Sequence, residues 1–270
     1  MSLGGVAFIG GGVMGEAILK ALLQRQLVQP AEVAVAEPVA ARRNVLGSSY
    51  HVRCVPEAAQ ATPGAATVVL SIKPQNLPEV MADLKGALKD DQLVLSIIAG
   101  ATIKSMTAGL AHQRVVRVMP NTPAQIGEGI SVWTATPAVT DEQRAAARQL
   151  LAALGQEIEV GQEHYLDMAT ALSGSGPAYV FLFIEALVDA GVHIGMPRDM
   201  AERLALQTVL GSARFAQASG QHPAHLRNMV TSPGGTTTEG VLRLEEGAFR
   251  AVVMRAVEAA YEKSRALGGS

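Results

Sequence analysis

A glycine-rich segment near the start of the sequence has the composition of a phosphate-binding loop. Residues 10–15, the glycine loop, match the pattern G-x-G-x-x-G and lead into a helix predicted over 16–26. Gly10 would permit a tight turn, Gly12 would let the backbone approach a pyrophosphate, and Gly15 would let helix and strand pack closely. The free N–H groups and the positive dipole of the helix N-terminus would meet the phosphates. The loop therefore predicts dinucleotide binding, with a plain tight turn as the alternative.

Two features further along bear on which dinucleotide would bind. Glu37 ends the second predicted strand, about 20 residues after the loop, where an acidic residue usually accepts hydrogen bonds from the ribose hydroxyls. This position favours NAD(H). Arg42 and Arg43 lie one helical turn further on and could hold the 2′-phosphate of NADP(H), or could form a solvated helix face. The sequence predicts NAD(H) or NADP(H) and leaves the preference open.

The other cofactor-binding candidates lie inside the loop and at the ends of two predicted strands. Val13 and Met14 are the loop residues that open the helix. Lys73 and Pro74 stop one strand, and Asn121 follows another. In open α/β sheets ligands bind beyond the carboxyl ends of the strands, so these positions belong to the ligand side.

A second segment of small residues precedes a helix in the second half of the chain. Residues 232–238, the threonine turn, contain a serine, a proline, two glycines and three threonines, without any basic side chain. Backbone N–H groups and hydroxyls converging there would suit a small anion such as a carboxylate. An ordinary N-cap formed by Ser or Thr accounts for the same residues. The residue types alone leave both interpretations open.

Side chains for acid–base or metal chemistry are scarce in the second half. Dehydrogenases that act on alcohols usually need a general acid or base, often His, Lys or Tyr. The absence of lysine between Lys104 and Lys263 argues against β-hydroxyacid dehydrogenases, which rely on an interior helical lysine. His222 and His225 have a spacing that could suit a metal, but they lack further ligands, so we predict a helix-start pair and no metal site.

The pattern of the first half predicts an α/β domain. Its strand-like runs are nearly continuous apolar stretches, which indicates strands buried on both faces. They alternate with helical stretches, as in a parallel, doubly wound sheet of the Rossmann type. The predicted strands are residues 6–9, 32–36, 52–55, 67–72, 93–98, 115–119 and 129–133.

The second half predicts only helices, since no comparable β-branched run follows residue 161. We therefore predict a dinucleotide-binding domain over residues 1–161 and an all-α domain over residues 162–270, which must present the substrate to the dinucleotide. Residues 173–178 are expected to break or kink a helix where two backbones approach closely. The predicted helices are residues 164–173, 177–193, 197–218, 222–230 and 237–266.

Composition narrows the class of protein. A chain of 270 residues with 49% hydrophobic and 17% charged residues is neither disordered nor highly charged. The net charge of -2 provides no basic surface for nucleic acid. A single cysteine, Cys54, fits a reducing compartment. The longest apolar stretch, 178–184, is closed by Glu185, so we expect no membrane span and a soluble cytoplasmic protein.

Taken together, the motifs of this chain resemble those of pyrroline-5-carboxylate reductases, the last enzymes of proline biosynthesis. The resemblance covers essentially the whole chain. Residues 171–179 (ALSGSGPAY) and 232–237 (SPGGTT) are specific to the family in combination, whereas the glycine loop is generic. Residues 71–75 (SIKPQ) and 119–123 (MPNTP) also match. One departure is Val13, where the family often has Asn.

The resemblance implies reduction of 1-pyrroline-5-carboxylate to L-proline by NADH or NADPH. It implies that the Ser232 hydroxyl and the backbone from Gly235 to Thr237 hold the substrate carboxylate, with Gly234 and Thr236 among the substrate-binding residues. The Thr237 hydroxyl is implied to hydrogen-bond the ring nitrogen and is the catalytic candidate. A cyclic imine is basic enough to take its proton from solvent, which fits the missing lysine. A related imine or β-hydroxyacid reductase and a silent dinucleotide-binding module are the alternatives.

The resemblance also implies an oligomer. Family members are dimers built from intertwined helices of the second domain, often assembled into decamers. The many Ala, Leu, Val and Met residues of the second half agree, because one small core could not hide that much apolar surface.

Overall fold

The computed structural model describes residues 3–268, which form two compact units. The first unit runs to Ser175 and takes up the chain again from Ala260, whereas the second runs from Gly176 to Ala259. The predicted boundary between residues 161 and 162 concerns functional domains and stays a prediction.

An eight-stranded sheet forms the centre of the first unit, in the order β3-β2-β1-β4-β5-β6-β7-β8. Strands β1 to β6 are parallel, which confirms the predicted Rossmann-type sheet. The chain order reverses between β1 and β4, so a ligand crevice is expected where they end. The strands are β1 (Gly5–Ile9), β2 (Val33–Ala36), β3 (Arg53–Val55), β4 (Ala65–Leu70), β5 (Leu93–Ser96), β6 (Val115–Met119), β7 (Gly129–Ala135) and β8 (Gly155–Glu159).

Apolar clusters cover both faces of this sheet. Neighbouring residues of β1 point to opposite sides: Phe8 joins the cluster that contains Leu22, and Ile9 joins the one that contains Met106. Burial on both faces explains why the strands read as continuous apolar runs. The helices of the unit are α1 (Val13–Gln24), α2 (Ala40–Tyr50), α3 (Ala58–Ala61), α4 (Leu77–Leu84), α5 (Ile103–Leu110), α6 (Asp141–Ala152) and α7 (Tyr165–Ala169).

The last two strands depart from the prediction. Strand β7 runs antiparallel to β6, because the short connection at Thr122–Ile126 is too brief for a crossover back to a parallel start. Strand β8 pairs with β7 and was not predicted at all. Its glutamates are half-buried while Ile158 is exposed, the reverse of an amphipathic strand. Glu157 accepts a 2.6 Å hydrogen bond from the indole of the buried Trp133.

Within the first unit, a buried arginine of the sheet and a serine near the C-terminus bind the same carboxylate. Arg117 of β6 forms ion pairs with Glu163 at 2.7 Å and Asp167 at 3.5 Å. The same Asp167 carboxylate accepts a 2.9 Å hydrogen bond from Ser264. The C-terminal residues therefore belong structurally to the first unit, which the sequence pattern did not predict.

The second unit contains only helices. The described helices are α8 (Gly176–His193), α9 (Arg198–Ser219), α10 (Pro223–Met229), α11 (Thr236–Glu246) and α12 (Phe249–Gly268), of which α12 ends in the first unit. The single helix predicted over 237–266 was wrong, because Ala248 adopts a left-handed φ of 54° that ends α11 and starts α12.

A π-helix at Thr170–Gly174 lies between α7 and α8, at the predicted irregularity. The expectation of two closely approaching backbones was wrong here. The nearest atom to a side chain built at Gly174 is the methyl of Met119, at 2.6 Å. The glycine thus makes room for a side chain of the first unit.

The second unit has a small core and an apolar surface. Its fully buried apolar residues form one cluster, Val188, Ala201 and Ala205. Large apolar side chains are exposed along its helices, among them Phe181, Leu182, Leu204, Leu206, Phe215, Phe249, Val252 and Met254.

One described helical segment, Tyr165–His193, is long and apolar enough to span a membrane by length and composition. The apolar stretch predicted from the sequence, 178–184, is only part of this segment, so the whole segment was not predicted. The segment contains Asp167, Glu185 and Asp189.

Candidate active site

Three of the four glycines in the glycine loop form the G-x-G-x-x-G pattern, and they differ in their surroundings. Gly10 has a φ of +100°, and a Cβ there would lie 2.7 Å from the Ser71 carbonyl oxygen. A Cβ at Gly15 would lie 2.5 Å from the Gly10 carbonyl oxygen. Any residue larger than glycine at position 15 would therefore keep α1 from packing this closely against the end of β1. A Cβ at Gly12 would meet no atom within 4 Å. The loop is therefore closely packed at both ends and open at Gly12.

Helix α1 presents its N-terminus at this open point. Gly12 is the N-cap, and no side chain caps it. The first intrahelical bond is donated by Glu16 to the Gly12 carbonyl, so the N–H groups of Val13, Met14 and Gly15 have no partner inside the helix. Val13 is exposed. Such a terminus suits an anionic group such as a pyrophosphate.

Two side chains hold the loop from the sheet side. The Ser71 hydroxyl donates a 2.8 Å hydrogen bond to the Gly10 carbonyl. The buried Glu37 carboxylate accepts from Gly11 N–H and from Val39 N–H, both at 3.0 Å. Glu37 was a predicted site residue, whereas Ser71 was missed as one, although the resembling motif at 71–75 contained it.

Both arginines considered as 2′-phosphate ligands have protein partners. Arg42 donates from Nε to the Gly11 carbonyl at 2.7 Å and pairs with Glu16 at 2.5 Å. Arg43 donates to the carbonyls of Glu37 and Pro38, both at 2.7 Å. The alternative interpretation, in which both arginines only form a solvated helix face, is therefore wrong.

The Glu16 carboxylate also accepts a 2.9 Å hydrogen bond from Tyr50. Partial burial by itself would raise the pKa of Glu16, but the hydrogen bonds from Arg42 and Tyr50 outweigh it and lower that pKa below its ordinary value. Burial and the bond to Glu16 raise the pKa of Tyr50. At neutral pH Glu16 is therefore an anion paired with Arg42.

A cavity of about 370 Å³ opens beside the loop at the carboxyl ends of β1 and β2. Its lining is apolar on the sheet side, with Ile9, Ala36 and Ile72, and acidic at its rim, with Glu57 and Asp83. Size, position and the apolar wall suit the adenosine half of a dinucleotide.

The remaining cofactor candidates lie at the same edge of the sheet. Lys73 and Pro74 follow β4 and are exposed at the start of a 3-10 turn. Asn121 follows β6, and its carboxamide oxygen accepts a 2.9 Å hydrogen bond from Ile130 N–H. Asn121 therefore fixes the connection into β7, besides any contact with a ligand.

The threonine turn in the second unit is held by its own backbone. Gly235 N–H donates to the Ser232 carbonyl at 3.0 Å, and the Thr238 hydroxyl donates to the same oxygen at 2.6 Å. Gly234 has a φ of +67°, and a Cβ at Gly235 would lie 2.5 Å from the Ser232 hydroxyl.

The N-cap of α11 is Gly235, without a side-chain hydrogen bond. Capping by Ser or Thr, the alternative explanation of this segment, is therefore wrong. The Thr238 N–H donates to the Gly235 carbonyl at 3.1 Å, whereas the N–H groups of Thr236 and Thr237 have no partner inside the helix. Thr237 is exposed. The turn thus presents backbone N–H groups and hydroxyls to a ligand, and none of residues 232–238 has a basic side chain.

His222 accepts a 3.2 Å hydrogen bond from Ala224 N–H and is the N-cap of α10, as the helix-start interpretation predicts. Within residues 3–268 no three His, Cys, Asp or Glu side chains group in a way that could hold a metal ion.

Comparison with known proteins bears on the whole chain. The family described as pyrroline-5-carboxylate reductase dimerisation matches residues 163–267. The family described as NADP oxidoreductase, coenzyme F420-dependent, matches residues 5–100. The two matches fall on the helical region and on the sheet with the glycine loop.

Full-length relatives carry the same description. The chain is 44% identical to a pyrroline-5-carboxylate reductase of Synechocystis sp. over 97% of this chain and 98% of the relative. The solved pyrroline-5-carboxylate reductase of Coxiella burnetii is 34% identical with a TM-score of 0.90, over 98% of this chain and 99% of that one. The Plasmodium falciparum pyrroline carboxylate reductase with NADP bound is 32% identical with a TM-score of 0.90, over 99% of each chain. At this identity and coverage, the chain belongs to the pyrroline-5-carboxylate reductase family.

Proposed function

We propose that this protein reduces 1-pyrroline-5-carboxylate to L-proline with NADH or NADPH. The observation that carries the proposal is the full-length similarity to reductases of this substrate, at 44% identity over 97% of the chain. The open glycine loop and the cation-free threonine turn support it, because they are the two anion sites that a dinucleotide and a carboxylate need.

The first unit supplies the residues for the dinucleotide. Gly10, Gly12 and Gly15 shape the loop, and the N–H groups of Val13 and Met14 face the pyrophosphate. Glu37 accepts from the adenosine ribose, and Lys73, Pro74 and Asn121 line the edge of the sheet. The open point at Gly12 and the placement of all these residues beyond the carboxyl ends of parallel strands support the assignment.

The second unit supplies the residues for the imine. Ser232 and the backbone of Gly234, Gly235 and Thr236 hold the carboxylate, whose charge the N-terminus of α11 stabilises. The Thr237 hydroxyl hydrogen-bonds the ring nitrogen and so orients the C=N bond. A reduced nicotinamide, when bound, would supply the hydride for the carbon of that bond, and the nitrogen would take its proton from solvent. The protein contributes mainly proximity and orientation.

The helical region is the proposed dimer contact. The dimerisation sequence of the family matches residues 163–267, and this region exposes large apolar side chains around a small core. A second copy of the chain would cover them and give Tyr165–His193 an apolar environment inside a protein. We extend the proposal to dimers that assemble into decamers in the cytoplasm. A well-folded monomer in light scattering at micromolar concentration would contradict it.

The function is tested by following the loss of reduced-nicotinamide absorbance with 1-pyrroline-5-carboxylate, in parallel with NADH and NADPH. Rapid oxidation that yields proline is the expected result. Oxidation with a β-hydroxy acid but not with the imine would favour the related reductase. Nucleotide binding without turnover on either substrate would favour the silent module.

A further inference from the structure

We propose that Arg42 is a positioning residue for the pyrophosphate-binding peptide and, for that reason, is not a ligand of a 2′-phosphate. The inference rests on the proposed dinucleotide site. It concerns the peptide between Gly11 and Gly12, at the one point of the glycine loop that is open to a ligand.

The peptide between Gly11 and Gly12 has a defined orientation. In a trans peptide the C=O and the following N–H point in opposite directions. Arg42 Nε donates to the Gly11 carbonyl at 2.7 Å, so this oxygen points toward α2. The N–H of Gly12 must then point away from α2. Separately, no atom lies within 4 Å of a Cβ built on Gly12, so the residue itself has open space beside it.

The Arg42 side chain is itself held in place by Glu16. Its Nη2 pairs with Glu16 at 2.5 Å, and Tyr50 donates to the other carboxylate oxygen of Glu16 at 2.9 Å. The guanidinium therefore bridges the loop and the first turn of α1. Its planar fork fits two acceptors at fixed angles, which a lysine could not match.

The neighbouring polar groups of the loop backbone are held by side chains from other elements. Ser71 donates to the Gly10 carbonyl, and Glu37 accepts from Gly11 N–H. Together with the bond from Arg42, three consecutive polar groups of the loop backbone have side-chain partners. The loop is thus organised before a ligand arrives, which lowers the entropic cost of binding.

The same contacts remove Arg42 as a phosphate ligand. Its charge is already paired with an ionised carboxylate, and a 2′-phosphate would have to compete with both Glu16 and the Gly11 carbonyl. Glu37, which accepts from the Gly11 N–H, would repel such a phosphate. Arg42 should therefore act equally on both dinucleotides.

The test measures the dissociation constants of NAD⁺ and NADP⁺ by titration calorimetry on the full chain. Arg42→Met should raise both constants by the same factor, roughly tenfold, because a charge-assisted contact behind the loop is lost. Arg53→Met is the matched control. The Arg53 guanidinium donates to the Gln60 carbonyl at 3.0 Å, apart from the loop, so both constants should change less than about twofold.

A second pair of ligands separates positioning from general damage. ADP contains the pyrophosphate and 5′-AMP lacks it, so Arg42→Met should weaken ADP binding more than AMP binding. If this variant does not fold, Arg42→Lys keeps the charge and should weaken NAD⁺ and NADP⁺ alike.

Loss confined to NADP⁺ in either variant would make Arg42 a phosphate ligand and overturn the proposal. Unchanged binding of both nucleotides would overturn it as well. These constants do not depend on turnover, so a failure of imine reduction would leave the result readable. A wild-type protein that binds neither nucleotide would refute both the proposed cofactor site and this inference.

Discussion

The two candidate anion sites of this chain have similar sequences but are supported differently. Each is a run of small residues ahead of a helix whose N-terminus lacks a side-chain cap. The glycine loop is held by side chains from distant parts of the sequence, Ser71, Glu37 and Arg42. The threonine turn is held by its own backbone and the Thr238 hydroxyl.

The units around the two sites differ in the same way. The sheet of the first unit is covered on both faces, down to a fully buried Trp133. The second unit buries few apolar residues and exposes many. The glycine loop is therefore held in place within one chain, whereas the second unit exposes apolar side chains that the proposed second copy would cover.

The largest effect is expected inside the glycine loop, from a pair of matched substitutions. Gly15→Val places a side chain 2.5 Å from the Gly10 carbonyl, so it should lower the free energy of unfolding by about 3 kcal/mol or more. Gly12→Val meets no atom of the protein, so stability should change by about 0.5 kcal/mol or less. The second variant should nevertheless lose dinucleotide affinity. Denaturant unfolding and calorimetry check both, and equal stability loss would refute the division of roles.

A smaller effect is expected at the threonine turn. Thr237→Ala should lower kcat about tenfold, because a hydrogen bond to the reacting ring is lost. The dissociation constant of the dinucleotide should stay unchanged, since Thr237 belongs to the other unit. Steady-state kinetics and titration measure the two quantities. Unchanged kinetics would remove Thr237 from the reaction.

A change in cofactor preference is expected at Glu37. Glu37→Ser removes the carboxylate that would repel a 2′-phosphate, so the ratio of kcat/KM for NADPH over NADH should rise by roughly tenfold. Glu57→Gln is the control, because it removes a charge from the same cavity without contact to the loop. No shift in Glu37→Ser would mean that the side chain acts only on the loop backbone.

The smallest effect is expected at Glu16 and depends on pH. Its pKa is lowered in the folded protein, so its ion pair stabilises the fold above the ordinary value of 4.5 and is lost as the pH falls through the lower, folded value. Glu16→Gln should therefore lower Tm slightly at neutral pH. The difference from wild type should disappear in acid. A difference that persists in acid would mean that packing, not charge, is involved.

The sequence predicted those parts of the molecule that local patterns encode. Strands β1 to β6 read as apolar runs, and the glycine loop reads as a turn between strand and helix. Strand β8 was missed because its glutamates face Trp133 and the arginines of α6, which only the folded sheet brings near. The helix break at Ala248 was missed because alanine rarely adopts a positive φ.

The candidate site was predicted less completely than the fold. The glycines and Glu37 follow a known spacing, so they could be found without a structure. The contacts of Ser71 and Arg42 with the loop join residues 61 and 31 positions apart, and no local pattern encodes them. The roles of Ser232 to Thr237 rest on the resemblance and remain predictions.

The proposed reaction converts a cyclic imine to proline and oxidises a reduced nicotinamide dinucleotide. The most direct measurement is the amount of L-proline formed for each reduced dinucleotide consumed, with 1-pyrroline-5-carboxylate as substrate. We expect equal amounts, and strongly reduced formation of both products in Thr237→Ala. Oxidation of the dinucleotide without proline would refute the proposed reaction, whereas proline formation that Thr237→Ala leaves intact would refute only the role of Thr237.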